Sequence, residues 1–335
     1  MIRVAVSGLG KMGSGYDKDN LGPPLSHIGA IMAMDGMLLT AAFDPSAQVR
    51  KNTASQWTEL KKTVLREDLA QLESKEADVI VICSPTPTHY KQALVAISKE
   101  PKIIVLEKPA SCSIQETKTI IDLAEKQNIQ IRVNFHRRFD PQLINFQTQM
   151  PGIPELVIAR YTKGLYNYGS HMVDLMINWF GLPQSVQSFS SLGAGTDPNL
   201  SFVCNFDSGL SFVFTGIDNL NYDQFEADFF FSNTRLELAN GGVEKRYYLP
   251  TDDLYYKGYR QLQAHNLFFE PKQISGLIAF YENIHNHLLI NLPLGGCTGY
   301  EALLGQSIID SAITSALNQN KIISTNNSSQ LFIQE

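Results

Sequence analysis

A strand-like run, Ile2-Arg3-Val4-Ala5-Val6-Ser7, leads without a break into Gly8-Leu9-Gly10-Lys11-Met12-Gly13. No other feature constrains the chain as strongly. In a Gly-x-Gly-x-x-Gly turn the first glycine permits a tight turn, and the second lets the backbone approach a pyrophosphate. The third lets helix and strand pack closely. Amide groups and the positive end of the following helix then face the phosphates. A bland glycine-rich turn satisfies the same spacing. The position after the first strand of a βαβ unit favours a dinucleotide site at Gly8, Gly10, Lys11, Met12 and Gly13.

Short strand-like runs recur at 37–43, 79–83, 103–106 and 129–135. Val79-Ile80-Val81-Ile82-Cys83 and Ile103-Ile104-Val105-Leu106 are apolar on both faces, as a parallel sheet covered by helices requires. Ser113 followed by Glu116 reads as a capping box, with Ile114, Thr117, Ile121 and Ala124 behind it at helical spacing. The expected fold class is α/β, with a doubly wound parallel sheet of Rossmann type over residues 1–135. Tyr16 to Ser26 contains Gly22-Pro23-Pro24 and cannot be regular helix, so an inserted loop over 14–26 is expected. The main helix then resumes over Leu25 to Met34. The insertion explains why the second strand ends at Asp44, later than the usual spacing of about 20 residues after the glycine turn.

A carboxylate at the tip of that strand accepts hydrogen bonds from an adenosine ribose and repels a 2′-phosphate. Pro45 and Ser46 follow with no adjacent arginine, so NAD is expected rather than NADP. Asp44 as a cap of the next helix is the other reading, and the two roles can coexist. Ser84-Pro85-Thr86-Pro87-Thr88-His89 lies at the carboxyl end of another strand, where open α/β sheets bind ligands. Ser84, Pro85, Thr86 and His89 are therefore candidate cofactor contacts, against a plain helix start capped by Thr88.

The texture changes near Asp140-Pro141. Residues from about 154 to 250 favour strands rich in Phe and Tyr, with Asp207-Ser208-Gly209 as a hairpin turn. Phe229-Phe230-Phe231 offers bulk to both faces of its strand, one toward helices and the other toward a second subunit or a substrate. Helical segments near 273–290 and 301–318 close the chain, the first with a stripe of Leu277, Tyr281, Ile284 and Leu288. The tail Asn326-Asn327-Ser328-Ser329 reads as a frayed end at most. With 335 residues, more than the roughly 250–300 of a single core, two domains are expected, over 1–135 and 136–335.

Two segments carry acid–base chemistry. Lys108, between Glu107 and Pro109 at the end of the apolar run 103–106, places an ammonium where it can stabilise a developing alkoxide. Its bland alternative is a solvent-facing lysine. In Asn167-Tyr168-Gly169-Ser170-His171-Met172-Val173-Asp174, Ser170 or Asn167 is expected to cap a helix. His171 and Asp174 are three apart and share a face. A histidine in a first helical turn is favoured as neutral imidazole, fit to take a hydroxyl proton as hydride departs. A core histidine satisfied by hydrogen bonds is the competing reading.

With these segments in hand, the chain resembles the glucose–fructose oxidoreductase and inositol dehydrogenase (Gfo/Idh/MocA) family over most of its length. The resemblance rests on the glycine turn at 8–13, the loop at 85–89 and Glu107-Lys108-Pro109. Asn134-Phe135-His136-Arg137-Arg138-Phe139 and Gly169-Ser170-His171 with Asp174 complete the set. It implies a Rossmann domain followed by an α+β domain with a large mixed, mostly antiparallel open sheet. It implies catalytic roles for Lys108 and His171, with Lys108 and Glu107 near the cofactor. Many polyol-oxidising members carry Asp four residues before the histidine, where this chain has Asn167. An amide there orients substrate or His171 by hydrogen bonds but cannot share a proton at neutral pH. The Asn-x-Gly-Ser-His form looks more like members acting in nucleotide-sugar pathways.

The expected function is NAD-dependent hydride transfer at a hydroxyl carbon of a sugar or nucleotide sugar, bound through Lys108, Arg137, Asn167 and His171. Arg137 and Arg138 serve either a substrate anion or an ion pair, with Arg137 favoured. A cofactor-binding regulator of the same fold and an oxidoreductase for a non-sugar substrate are the alternatives. A net charge of −6 speaks against a nucleic-acid surface, and no run of about 18 apolar residues predicts a membrane span. No signal peptide is recognised. Cys83, Cys112, Cys204 and Cys297 are far apart, so neither a disulfide nor a thiolate metal site is expected, and the cytoplasm is the expected compartment. His285 and His287 project about 200° apart on a helix and form no paired metal site. By the family's habit a homodimer or homotetramer is expected.

Overall fold

The computed structural model describes residues 1–19, 22–57, 60, 63–193, 195–265 and 275–325; the tail 326–329 lies outside them. The chain divides into two compact units, Met1–Pro141 with Gln273–Leu303, and Gln142–Lys272 with Leu304–Glu335.

In the first unit, β1 (Ile2–Ser7), β2 (Met37–Phe43), β3 (Val64–Arg66), β4 (Val79–Ile82), β5 (Ile103–Leu106) and β6 (Gln130–Val133) lie in the order 3-2-1-4-5-6. All five of these pairings are parallel, and the short strand Cys297–Thr298 adds antiparallel to β6. The order reverses between β1 and β4, which opens a crevice at their carboxyl ends. β3 was not anticipated, being three residues long and only partly buried. The doubly apolar runs do what their pattern requires. Val79, Val81, Ile103 and Val105 enter one core, while Ile80, Ile82, Ile104 and Leu106 enter the other. Burying one such side chain is worth roughly 1.5–3 kcal/mol.

The helices are α1 (His27–Met32), α2 (Ala47–Gln56), α3 (His89–Ser98) and α4 (Ile114–Glu125). Ser113 caps α4 by accepting from the Glu116 amide, and Glu116 returns a bond to the amide of Cys112, one residue before the expected partner. The helix Gly276–Ile290 also belongs to this unit. Its Leu277, Phe280, Tyr281 and Ile284 are buried beside Ile28, Ile31 and Leu39. The division expected at 135/136 therefore differs from the compact units. With only six residues, α1 is too short to cover its side of the sheet, and the returning stripe completes that core.

The second unit holds α5 (Pro141–Thr148), whose first residue is the boundary, β7 (Leu156–Tyr161) and α6 (Ser170–Phe180). Its remaining strands are β8 (Ser185–Ser188), β9 (Phe202–Asn205), β10 (Ser211–Gly216), β11 (Phe225–Phe231), β12 (Thr234–Ala239), β13 (Glu244–Asp252) and β14 (Arg260–His265). The sheet order is 14-13-12-11-7-10-9-8, with Ile323–Ser324 at the far edge, and only β7 and β10 pair in parallel. Gly209, at φ +90°, turns the hairpin between β9 and β10. Phe229 is fully buried against Phe146 and Trp179. Phe230 points to the other face under the Arg235 guanidinium. On that face Asp228 is held between Arg160 and Arg235.

Candidate active site

The three turn glycines have three separate physical reasons. Gly8 has φ +95°, and a Cβ on it would lie 2.5 Å from the Ser84 amide, so the turns leaving β1 and β4 touch there. A Cβ on Gly13 would lie 2.0 Å from the Gly8 carbonyl oxygen, which fixes the close helix–strand packing. A Cβ on Gly10 would meet nothing within 4 Å. That open space is what a backbone approaching a pyrophosphate needs. Among the described residues the amides of Gly10, Lys11 and Met12 donate to no protein acceptor, so the turn fits a dinucleotide.

The inserted loop leaves the helix ladder intact. The His27 amide donates to the Met12 carbonyl at 2.8 Å and the Ile28 amide to Gly13 at 3.0 Å. These are the places residues 16 and 17 hold in an uninterrupted helix, so the chain makes an 11-residue excursion and rejoins. Asp44 follows Gly13 by 31 positions, and 31 less 11 leaves the usual spacing of about 20. Asp17 secures the return by accepting from the amides of Leu25 and Ser26.

At the tip of β2, Asp44 Oδ2 accepts from the Leu9 amide at 3.1 Å, and Oδ1 accepts from the Ser46 amide at 2.9 Å. Ser46 in turn caps α2. The carboxylate is thus fixed against the glycine turn. Arg50, six residues on, donates to the carbonyls of Asp44 and Pro45, so an arginine does stand close to this strand tip.

In the next loop Thr88 does not cap α3. Its Oγ1 donates to the Pro85 carbonyl at 2.8 Å and lies 2.7 Å from the Ser84 hydroxyl. His89 is buried, with Nε2 2.7 Å from the Ser84 carbonyl and Nδ1 3.0 Å from the Pro109 carbonyl. Its ring ties the loop after β4 to the loop after β5, which occupies the nitrogens a cofactor contact would have used. Ser84, Pro85 and Thr86 follow the carboxyl end of β4.

Glu107 was expected at the cofactor, but its carboxylate is committed inside the protein. Oε1 accepts from Asn134 Nδ2 at 2.6 Å and lies 3.0 Å from His27 Nε2, and Oε2 accepts from the Lys108 amide at 3.3 Å. Burial alone would raise this carboxyl. The His27 bond and charge, the Asn134 bond and the charge of His136 outweigh it and hold Glu107 at about 2. Burial, reinforced by the charge of Arg137, pushes His136 down to about 4. Lys108 itself is half-buried at the carboxyl end of β5. Arg138 makes a 2.7 Å ion pair with Glu301, its side chain only 6% exposed, the ion-pair alternative of the two read for this arginine pair. Arg137 is half-buried.

In the second unit the helix bearing His171 starts earlier than the sequence implied. A π-helical turn, Leu165–Gly169, runs directly into α6. Neither Ser170 nor Asn167 caps it. Ser170 Oγ donates back to the Tyr166 and Asn167 carbonyls, and the cap is Asp197, which accepts from the amides of Tyr166 (2.7 Å) and Asn167 (3.1 Å). The helix end is thus five residues before Ser170 and already carries a carboxylate, so the first-turn argument for neutral His171 lapses. A π-turn is a costly geometry that recurs at functional sites. Gly164 (φ +93°) is required here, since a Cβ would lie 2.1 Å from Asp197 Oδ2. His171 and Asp174 are buried, and Asn167 is exposed. Asp197 and His27 stand in no periodic pattern or motif of the sequence.

Residues 2–135 match the oxidoreductase family with the NAD-binding Rossmann fold, the Gfo/Idh/MocA group. The scyllo-inositol 2-dehydrogenase (NAD(+)) of Bacillus subtilis is 28% identical over 145 residues, 42% of this chain and 37% of the relative. The curated relatives are matched over only about a fifth to a half of their own length. Among solved structures, the super-repressor mutant of Gal80p from Saccharomyces cerevisiae superposes with a TM-score of 0.79 at 16% identity, over 98% of this chain and 99% of that one. The UDP-N-acetylglucosamine 3-dehydrogenase of Acidithiobacillus ferrooxidans does so at 0.72 and 17%, over 94% and 97%. At such identities these likenesses show the fold alone.

Proposed function

We propose, from the match of residues 2–135 to the NAD-binding Rossmann domain of the Gfo/Idh/MocA oxidoreductase family, that the chain moves hydride between NAD and a hydroxyl carbon of a sugar or nucleotide sugar. The observation that carries this reading is the position of Lys108. It leaves the carboxyl end of β5, the neighbour of β4 and one strand from the switch point between β4 and β1, with its amide pinned by Glu107. When bound, NAD supplies the hydride acceptor or donor. Gly10, Lys11 and Met12 present the amides for its pyrophosphate and Asp44 the carboxylate for its ribose. Lys108 hydrogen-bonds the reacting oxygen and favours its alkoxide character. His171 takes the hydroxyl proton in oxidation and returns it in reduction. Asn167 orients that hydroxyl, and Arg137 serves an anionic substrate group.

The test is reduced-nicotinamide absorbance across a panel of inositols, sugars and nucleotide sugars. Lys108→Ala and His171→Ala should each lower turnover by roughly two to four powers of ten. Unchanged turnover in both removes the mechanism. A second reading is a cofactor-binding regulator of the same fold, a fold shared with Gal80p. Tight NAD binding with no turnover on any substrate would favour it.

The four cysteines are free thiols, which suits a reducing cytoplasm, and no helix among the described residues is long and apolar enough to cross a membrane. Association into a homodimer or homotetramer through the sheet face bearing Phe230 and Arg160 is part of the same reading. A monomer by light scattering at micromolar concentration would count against it.

A further inference from the structure

The inserted loop rejoins its helix at His27, and that ring is fully buried. Nε2 lies 3.0 Å from Glu107 Oε1, and Nδ1 lies 2.7 Å from the hydroxyl of Tyr281 on the returning helix. Asn134, His136 and Cys83 complete the polar and titratable surroundings. Three donors therefore converge on one carboxylate: His27, Asn134 and the Lys108 amide. Only an ionised carboxylate accepts from all three without donating. A buried pair of this kind is weak evidence for stability, because apolar residues of similar volume usually serve the fold as well. Its cost calls for another explanation.

We propose that His27 is a positioning residue for Lys108. It keeps the Glu107 carboxylate ionised and oriented, Glu107 fixes the main chain of residue 108, and Tyr281 fixes the His27 ring. His27 holds the helical position that residue 16 would fill in an uninterrupted helix, the place to which the inserted loop returns the chain. The inference rests on the reading of Lys108 as the group that meets the reacting oxygen.

The test reads residues 107 and 108 directly, without any substrate. Infrared difference spectra report the carboxyl stretch of a protonated buried acid, and amide hydrogen exchange reports the Lys108 N–H. His27→Ala should produce a protonated-carboxyl band near neutral pH that disappears in His27→Ala with Glu107→Gln. Its Lys108 amide should exchange about tenfold faster or more. His27→Gln, which keeps a donor to the carboxylate and an acceptor for Tyr281, should restore the protection. Glu107→Gln should lose it, because a single amide oxygen cannot serve both sides. If His27→Ala does not fold, Tyr281→Phe is read in the same way. No carboxyl band and unaltered exchange in these variants, with Lys108 still protected in Glu107→Gln, would overturn the proposal. Unimpaired turnover in Lys108→Ala would instead overturn the functional reading while leaving these spectra to stand.

Discussion

The main-chain N–H of His27 bonds to the carbonyl of Met12 across 14 intervening residues, closing a helical step that the intervening loop interrupts. The loop is thus an addition to a complete helix. Excising residues 16–26, joining Gly15 to His27, should leave a protein that unfolds cooperatively and still binds NAD within a few-fold of the parent. Losing the Ser26 cap on Gly29 and the Ser275–Pro24 bond should cost about 1–3 kcal/mol. Calorimetry and cofactor titration check this; a variant that fails to fold would show the loop to be integral.

Gly10 and Gly13 separate binding from stability. In Gly10→Ala the added methyl enters open space, so Tm should move by no more than about 2 °C while NAD affinity falls about thirtyfold or more, since the methyl takes the pyrophosphate's room. In Gly13→Ala the methyl strikes the Gly8 carbonyl, and Tm itself should drop sharply. Equal loss of stability in both would remove the cradle.

Asp197 caps the π-turn that carries Asn167 and precedes His171. Asp197→Ala should cost about 1–2 kcal/mol in urea unfolding. It should also lower turnover by roughly ten- to a hundredfold, a loss like that from small misplacements of positioned groups. Asp197→Asn, which keeps an acceptor, should recover most of the turnover. A loss of stability with undiminished turnover would make the cap purely structural.

Acid should weaken the first unit in two steps. His136, buried uncharged, titrates at about 4 rather than 6.5, so the unfolded chain binds the proton first. Its contribution is full above pH 6.5 and is lost as pH falls toward 4. Glu107 titrates at about 2 rather than 4.5, and its contribution is full above 4.5 and lost as pH falls toward 2. Each displacement is worth roughly 3 kcal/mol. Urea midpoints should therefore fall between pH 7 and 4. His136→Asn should flatten the upper limb and Glu107→Gln the lower one.

Local order made much of the molecule legible in the primary structure. The run 2–7 with its glycines, the doubly apolar β4 and β5, Lys108 at a strand's end and Asp44 at the tip of β2 all follow from neighbours a few positions apart. Backbone geometry and side-chain periodicity act over that range. What the tertiary structure alone decided are pairings over long separations. His27 meets Glu107 80 positions on, Asp197 caps Asn167 across 30, and Arg138 is taken up by Glu301 across 163. The helix Gly276–Ile290 returns to a core begun at residue 2. Such partners are chosen by burial, because a charge or an amide removed from water must find whichever complementary group the fold brings to it, and no local pattern records which one that is.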